Sequence, residues 1–174
     1  MSSDLDDPLD LFIVSYYDTT ALRLDWETIQ GLDNDGAIKL EGLARVEHRN
    51  NGKIHVVDDA HHKSHGAKWG MLGGAIVGLI FPPSLVVGAG VGALAGAGVG
   101  GLKSHHGNAT IEADVATALP IGRSGLVVLV DEQWASMVES AIQSAGTIAL
   151  EKVDRNSFAQ VQAAIDTALP TPPQ

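Results

Sequence analysis

Leu11-Phe12-Ile13-Val14-Ser15-Tyr16-Tyr17-Asp18 sets the frame of this chain: an apolar, aromatic run with strand composition, closed by an aspartate suited to cap a helix. Next come Leu22, Trp26 and Ile29, spaced i, i+4 and i+7 as the apolar stripe of an amphipathic helix. Asn34-Asp35-Gly36 ends it, with Gly36 fitting the left-handed position after the last turn. Ile38, Leu40, Gly42, Ala44 and Val46 then alternate with Lys39, Glu41, Arg45 and Glu47, which predicts a half-buried strand. Only Leu43 breaks its period of two.

The scheme recurs. Gly125-Leu126-Val127-Val128-Leu129-Val130 is a second apolar strand and Asp131 its helix cap. Trp134, Met137, Val138, Ala141 and Ile142 form the following stripe, Gly146 stops it, and Thr147 to Val153 is a strand. Two βαβ units of one punctuation predict an α+β fold, a ferredoxin-like double βαβ sheet with helices on one face. Asn50-Asn51-Gly52 adds a hairpin that pairs Val46 with Val56, places Ile54 on the same face, and sets His55 opposite Glu47 as a surface contact. Asn108 or Thr110 caps a short helix bearing Ile111, Val115 and Leu119 and ended by Pro120. A last helix is expected to begin around Ser157, with Gln160 completing a capping box and Phe158, Val161, Ile165 and Leu169 as its stripe.

Between the units the solvent changes. From Trp69 to Leu102, 34 positions, no residue is charged and Ser84 is the only polar side chain. Glycine falls at every fourth position in two arms: Gly66, Gly70, Gly74 and Gly78, then Gly88, Gly92, Gly96 and Gly100, with Ala89, Ala93 and Ala97 in a parallel row. Positions four apart share one helix face, so each arm has a strip of bare backbone. A helical glycine costs about 1 kcal/mol relative to alanine in water; close helix packing of small-xxx-small faces, favoured in lipid, returns it. Phe81-Pro82-Pro83-Ser84 separates the arms. The reading is an inserted glycine-zipper α-helical hairpin, roughly residues 66–103, packing against copies of itself and against or into a membrane. Each arm of about 17 residues makes roughly 25 Å of helix, shorter than about 30 Å of hydrocarbon, so a soluble assembly with bundled hairpins stands as the alternative.

The organisation predicted is residues 1–60 as the first βαβ unit plus hairpin strand and 61–107 as the glycine insert. Residues 108–169 hold a helix and the second unit with its C-terminal helix, and 170–174 form a disordered tail. Lys63, Lys68 and Lys103 mark the ends of the hairpin, which under the positive-inside rule places the frame in the cytoplasm and the uncharged proline tip at the far end. The expected location is a bacterial inner membrane, or alternatively the cytoplasm. His61, His62, His65, His105 and His106 flank the same neck. They read as a solvated collar, as ligands for a transition metal, or as groups that gain charge at low pH and meet anionic headgroups.

Other classes are excluded or unsupported. A formal net charge of −10 argues against nucleic acid as a partner. There is no cysteine, so disulfides and thiolate chemistry are ruled out. The N-terminal Met1 to Pro8 lacks the pattern of a secretory signal. No serine sits in a nucleophile elbow. Gly98-Val99-Gly100-Gly101-Leu102-Lys103-Ser104 resembles a phosphate loop only at its Lys-Ser end and lacks the preceding strand. The acidic residues are expected at caps, turns and exposed strand faces, and the protein is expected not to be an enzyme and to bind no organic cofactor.

Two segments carry a family resemblance: Lys68-Trp69-Gly70-Met71-Leu72-Gly73-Gly74, opening the glycine insert, and Ala118-Leu119-Pro120-Ile121-Gly122-Arg123-Ser124-Gly125-Leu126, leading into a strand. Across about residues 10–153 the chain resembles the bacterial domain-of-unknown-function family twelve sixty-nine, described as predicted membrane proteins. Gly125 stands where that family's pattern has alanine. The resemblance implies membrane association and brings no activity or catalytic residues.

Overall fold

A computed structural model of the chain describes residues 8–57, 86–87, 117–156, 158–159 and 163. Six strands form one sheet in the order β4-β3-β2-β5-β1-β6. They are β1 (Leu9–Tyr16), β2 (Leu40–His48), β3 (Ile54–Val57), β4 (Val86–Val87), β5 (Ser124–Asp131) and β6 (Thr147–Val153). All neighbours are antiparallel except β3 and β4, which run parallel. Helix α1 (Thr19–Asn34) joins β1 to β2; a 3-10 turn (Glu132–Trp134) and helix α2 (Ala135–Ala141) lie between β5 and β6. The fold is therefore α+β. β5 lies between β1 and β2, and β1 lies between β5 and β6, so each βαβ unit is split by a strand of the other.

The cause lies in the apolar pattern. All eight positions of β1 and the six central positions of β5 are buried, as expected of strands covered on both faces. One face carries Phe12, Val14, Tyr16, Leu126, Val128 and Val130 beneath the α1 stripe Leu22, Trp26 and Ile29 and beneath Val138, Ala141 and Ile142 of the α2 region. The opposite face carries Leu9, Leu11, Ile13, Val127, Leu129, Val46, Ile54 and Val56, with Leu119 and Phe158 packed against them. Helices α1 and α2 share one face as predicted, and the other face is a second core. Asp18 caps α1 by accepting from the Thr20 amide at 3.0 Å, and Gly36 (φ 71°) and Gly52 (φ 74°) hold the left-handed positions assigned to them.

Leu43 breaks the period of β2 for a structural reason. Leu40 is opposite Val130 and Gly42 is opposite Leu129, so Glu41 is an extra residue, a β-bulge. Before it, Ile38 and Leu40 face the helices; after it, Leu43 does, while Ala44 and Val46 face the second core. The expectation of one apolar face along 38–46 is corrected accordingly. The hairpin register is as read from the turn, with Val46 opposite Val56 and Glu47 opposite His55.

Four local expectations are revised. Helix α2 stops at Ala141 rather than at Gly146: Ile142 is extended, and the Gly146 amide donates to the Ser15 carbonyl at 2.7 Å, aligning β6. Met137, placed on the buried stripe, is 38% exposed. The final helix opens at Arg155 rather than near Ser157, with the Phe158 amide donating to the Asp154 carbonyl at 3.1 Å. The fourth concerns the glycine insert. Val86 and Val87, assigned to its second helical arm, are extended and pair with Ile54 and His55. Three residues past Pro83 the chain thus lies on the sheet edge. The remainder of both arms lies outside the described residues.

Candidate functional site

The described part of the frame breaks off after Val57, includes Val86–Val87 at its edge and continues from Thr117. The point of return is built from the Leu-Pro-x-Gly-x-Ser-Gly segment. Leu119 is fully buried, and its carbonyl lies 2.8 Å from His48 Nδ1. A carbonyl only accepts, so Nδ1 carries the proton. The His48 backbone completes the clamp: its amide donates to the Arg123 carbonyl at 2.9 Å and its carbonyl accepts from the Gly122 amide at 2.6 Å.

Two glycines make this approach possible. Gly122 has φ 84°, in the left-handed region, and a side chain there would meet Asn50 Oδ1 at 3.3 Å. A Cβ on Gly125 would lie 2.5 Å from the Val14 carbonyl oxygen and 2.7 Å from Leu119 Cδ1. Glycine is suited to this position because β1, β5 and Leu119 close on it. At the same end of the sheet the Arg123 guanidinium sits 3.8 Å from the Tyr17 ring centre, and Tyr17 also rests over Gly146.

Polar groups are buried deeper than the sequence reading allowed. Asp10 and Asp25, taken with the other acids as solvated, are 2% and 5% exposed. Asp25 Oδ2 accepts from the Tyr16 hydroxyl at 2.9 Å and from the Ser144 amide at 3.3 Å, joining β1, α1 and the loop after α2. Burial, followed by the hydrogen bond to Asp25, raises the Tyr16 phenol well above its ordinary range. Asp10 Oδ1 lies 2.6 Å from Lys152 Nζ, which also donates to Glu132 Oε1 at 2.9 Å. The hydrogen bond to Asp10 is the main cause that raises the Lys152 ammonium above its ordinary value. Nearby, Arg155 donates to Asp131 at 2.6 Å and stands 3.6 Å from Glu41, the bulged residue. These contacts tie strand ends to one another, and the buried Asp10 is paired with a cation from another strand. His48, assigned no role from its place in the sequence, is the clamp on Leu119. Its alternation within β2 gave no signal of that contact.

The glycines at 66, 70, 74, 78, 88, 92, 96 and 100 and the histidines at 61, 62, 65, 105 and 106 lie outside the described residues. Among the described residues no group of three or more His, Asp or Glu side chains is placed to hold a metal ion, and no helix is long and apolar enough to cross a membrane.

A family model described as a protein of unknown function (DUF1269) matches residues 67–166, which is 100 of the 174 residues. No curated protein and no solved structure matches the chain.

Proposed function

The chain belongs to the DUF1269 family, and from that premise we propose that it is a non-enzymatic, self-associating, membrane-associated protein. In this reading a folded frame carries an apolar, glycine-periodic segment, and that segment assembles copies of the protein. The observation that carries the reading is the charge-free run of 34 residues from Trp69 to Leu102, set within a chain of formal net charge −10. A charge-free apolar run of that length calls for an apolar partner. The period of four in the glycines gives that partner a geometry, the backbone of another small-residue helix. The strand order β6-β1-β5-β2 supports reading the frame as ferredoxin-like.

One observation favours a second reading, a soluble homo-oligomer whose glycine-rich segments bundle between frames. Val86–Val87 is paired to β3, so the middle of the run stays beside the frame. Cell fractionation with carbonate extraction separates the two readings. Retention with the membrane pellet is expected, and full release into the soluble fraction overturns the membrane reading. The zipper is tested by mass: Gly74→Leu and Gly92→Leu should break the assembly far more than Leu79→Ala, and unchanged masses in both glycine variants would overturn it.

A further inference from the structure

The two edges of the sheet are finished differently. At one edge β3 has only four residues and is met by β4. At the other, β6 runs seven residues without proline or bulge, in unbroken register with β1 from Val153 opposite Leu9 to Thr147 opposite Ser15. Among the described residues no strand pairs with the outer side of β6.

Two of its apolar side chains are exposed as well. Ile148 and Leu150 stand opposite Val14 and Phe12, and hence on the helix-covered face, yet they are 42% and 51% exposed. Lysine is a common device for blunting a free edge. Lys152 does not serve that way here, because its ammonium is turned to Asp10 at 2.6 Å and Glu132 at 2.9 Å.

We propose that β6 pairs antiparallel with β6 of a second copy, about a twofold axis at Ala149, joining two sheets into one. The choice of partner and register follows from the sequence of the strand. A twofold perpendicular to a continuous sheet preserves faces, so opposed residues must share parity. Centred on Ala149, the register sets each exposed Ile148 opposite the other copy's Leu150, Thr147 opposite Glu151, and Lys152 opposite Gly146. No like charges meet. Centred on Leu150, it sets Ile148 against Lys152; centred on Glu151, it sets two glutamates face to face and Leu150 against Lys152. Centred on Ile148, it opposes Ile148 to itself but sets Leu150 against Gly146; only the Ala149 register gives both exposed apolar side chains an apolar partner and leaves the Lys152 bonds undisturbed. This pairing is independent of the glycine segment, so each can fail without the other.

The absence of cysteine makes the test direct. Directly opposed Cβ atoms lie roughly 5 Å apart in an antiparallel pair, within reach of a disulfide after small adjustment. Ala149→Cys in the full chain is expected to form a covalent dimer on mild oxidation. Single Thr147→Cys and Glu151→Cys variants, whose own copies stand about 13 Å apart in this register, should not. The double variant carrying both should. Ile148→Lys, at an exposed position that folding tolerates, is expected to lower the mass of the assembly in solution, and Gly92→Leu should leave the Ala149→Cys crosslink intact. A crosslink no stronger at 149 than at 147 or 151, or an unchanged mass in Ile148→Lys, overturns the proposal. A crosslink at 149 that disappears in Gly92→Leu would show that the glycine segment, and not β6, holds the copies together.

Discussion

Replacing Tyr16 by phenylalanine removes one oxygen from a strand whose eight positions are all buried. The ring stays, so the packing term is nearly conserved and the change isolates the bond to Asp25. That carboxylate is 5% exposed and loses the 2.9 Å donor, keeping the Ser144 amide at 3.3 Å. Hydrogen bonds to charged groups contribute about 1.5–3 kcal/mol, and a buried acceptor left short loses that in full. The expected cost is therefore about 2 kcal/mol at neutral pH, or a fall of about 4–8 °C in Tm for a chain of this size. The pH dependence supplies a sharper criterion. The folded state holds the phenol protonated beyond the ordinary value of 10.0, whereas the unfolded chain ionises there. Stabilisation from Tyr16 is thus fully present below pH 10 and declines as pH rises above it, by about 1.4 kcal/mol per pH unit. Urea unfolding at pH 8 and pH 11 should show wild type ahead by about 2 kcal/mol at the lower pH and by less than 1 kcal/mol at the higher. Equal stability at pH 8, or a gap that does not narrow at pH 11, would refute the reasoning.

Gly125→Ala should lower stability by about 1–3 kcal/mol, because its Cβ would meet the Val14 carbonyl oxygen at 2.5 Å in the middle of the sheet. Gly52→Ala meets open space and should cost only the left-handed backbone conformation, about 1 kcal/mol; urea midpoints of the pair give the order. Lys152→Met leaves Asp10 buried without its cation and should cost about 1–2 kcal/mol, discounted because Lys152 is half exposed. Asp10→Asn in the Lys152→Met background should recover part of that loss. Because the lysine is held protonated in the folded state, its contribution is complete below its ordinary value of 10.5 and disappears as pH rises through the elevated folded value, which alkaline unfolding curves of the two proteins would record.

What the sequence disclosed and what it withheld divide along physical lines. Periodicity exposed the α1 stripe, because Leu22, Trp26 and Ile29 are buried by spacing alone, and turn chemistry disclosed the hairpin register through Gly52. Asp10 and Asp25 were illegible because burial of an acid depends on donors distant in the chain, Lys152 and the Ser144 amide, and composition reads them as solvated. Gly146 looked like a helix stop because a glycine after an apolar stripe usually is one; its actual role is to admit the Tyr17 ring, a contact across the sheet end. Val86–Val87 carries β-branched residues within a glycine-rich run, and only its pairing with Ile54–His55 reveals a strand there. The family segment Leu119 to Gly125 was recognisable as a string, while its meaning, a clamp on His48 and Val14, required the fold.

The bulge at Glu41 has a consequence for how relatives of this chain are compared. Beyond it every side chain of 42–48, and through the hairpin 54–57, is inverted relative to the start of β2. A relative lacking one residue at that point would have to exchange its odd and even apolar positions throughout the hairpin to keep the same two cores. A gap at position 41 aligned by residue similarity would then look like a cluster of unrelated substitutions, although it is a single change of phase.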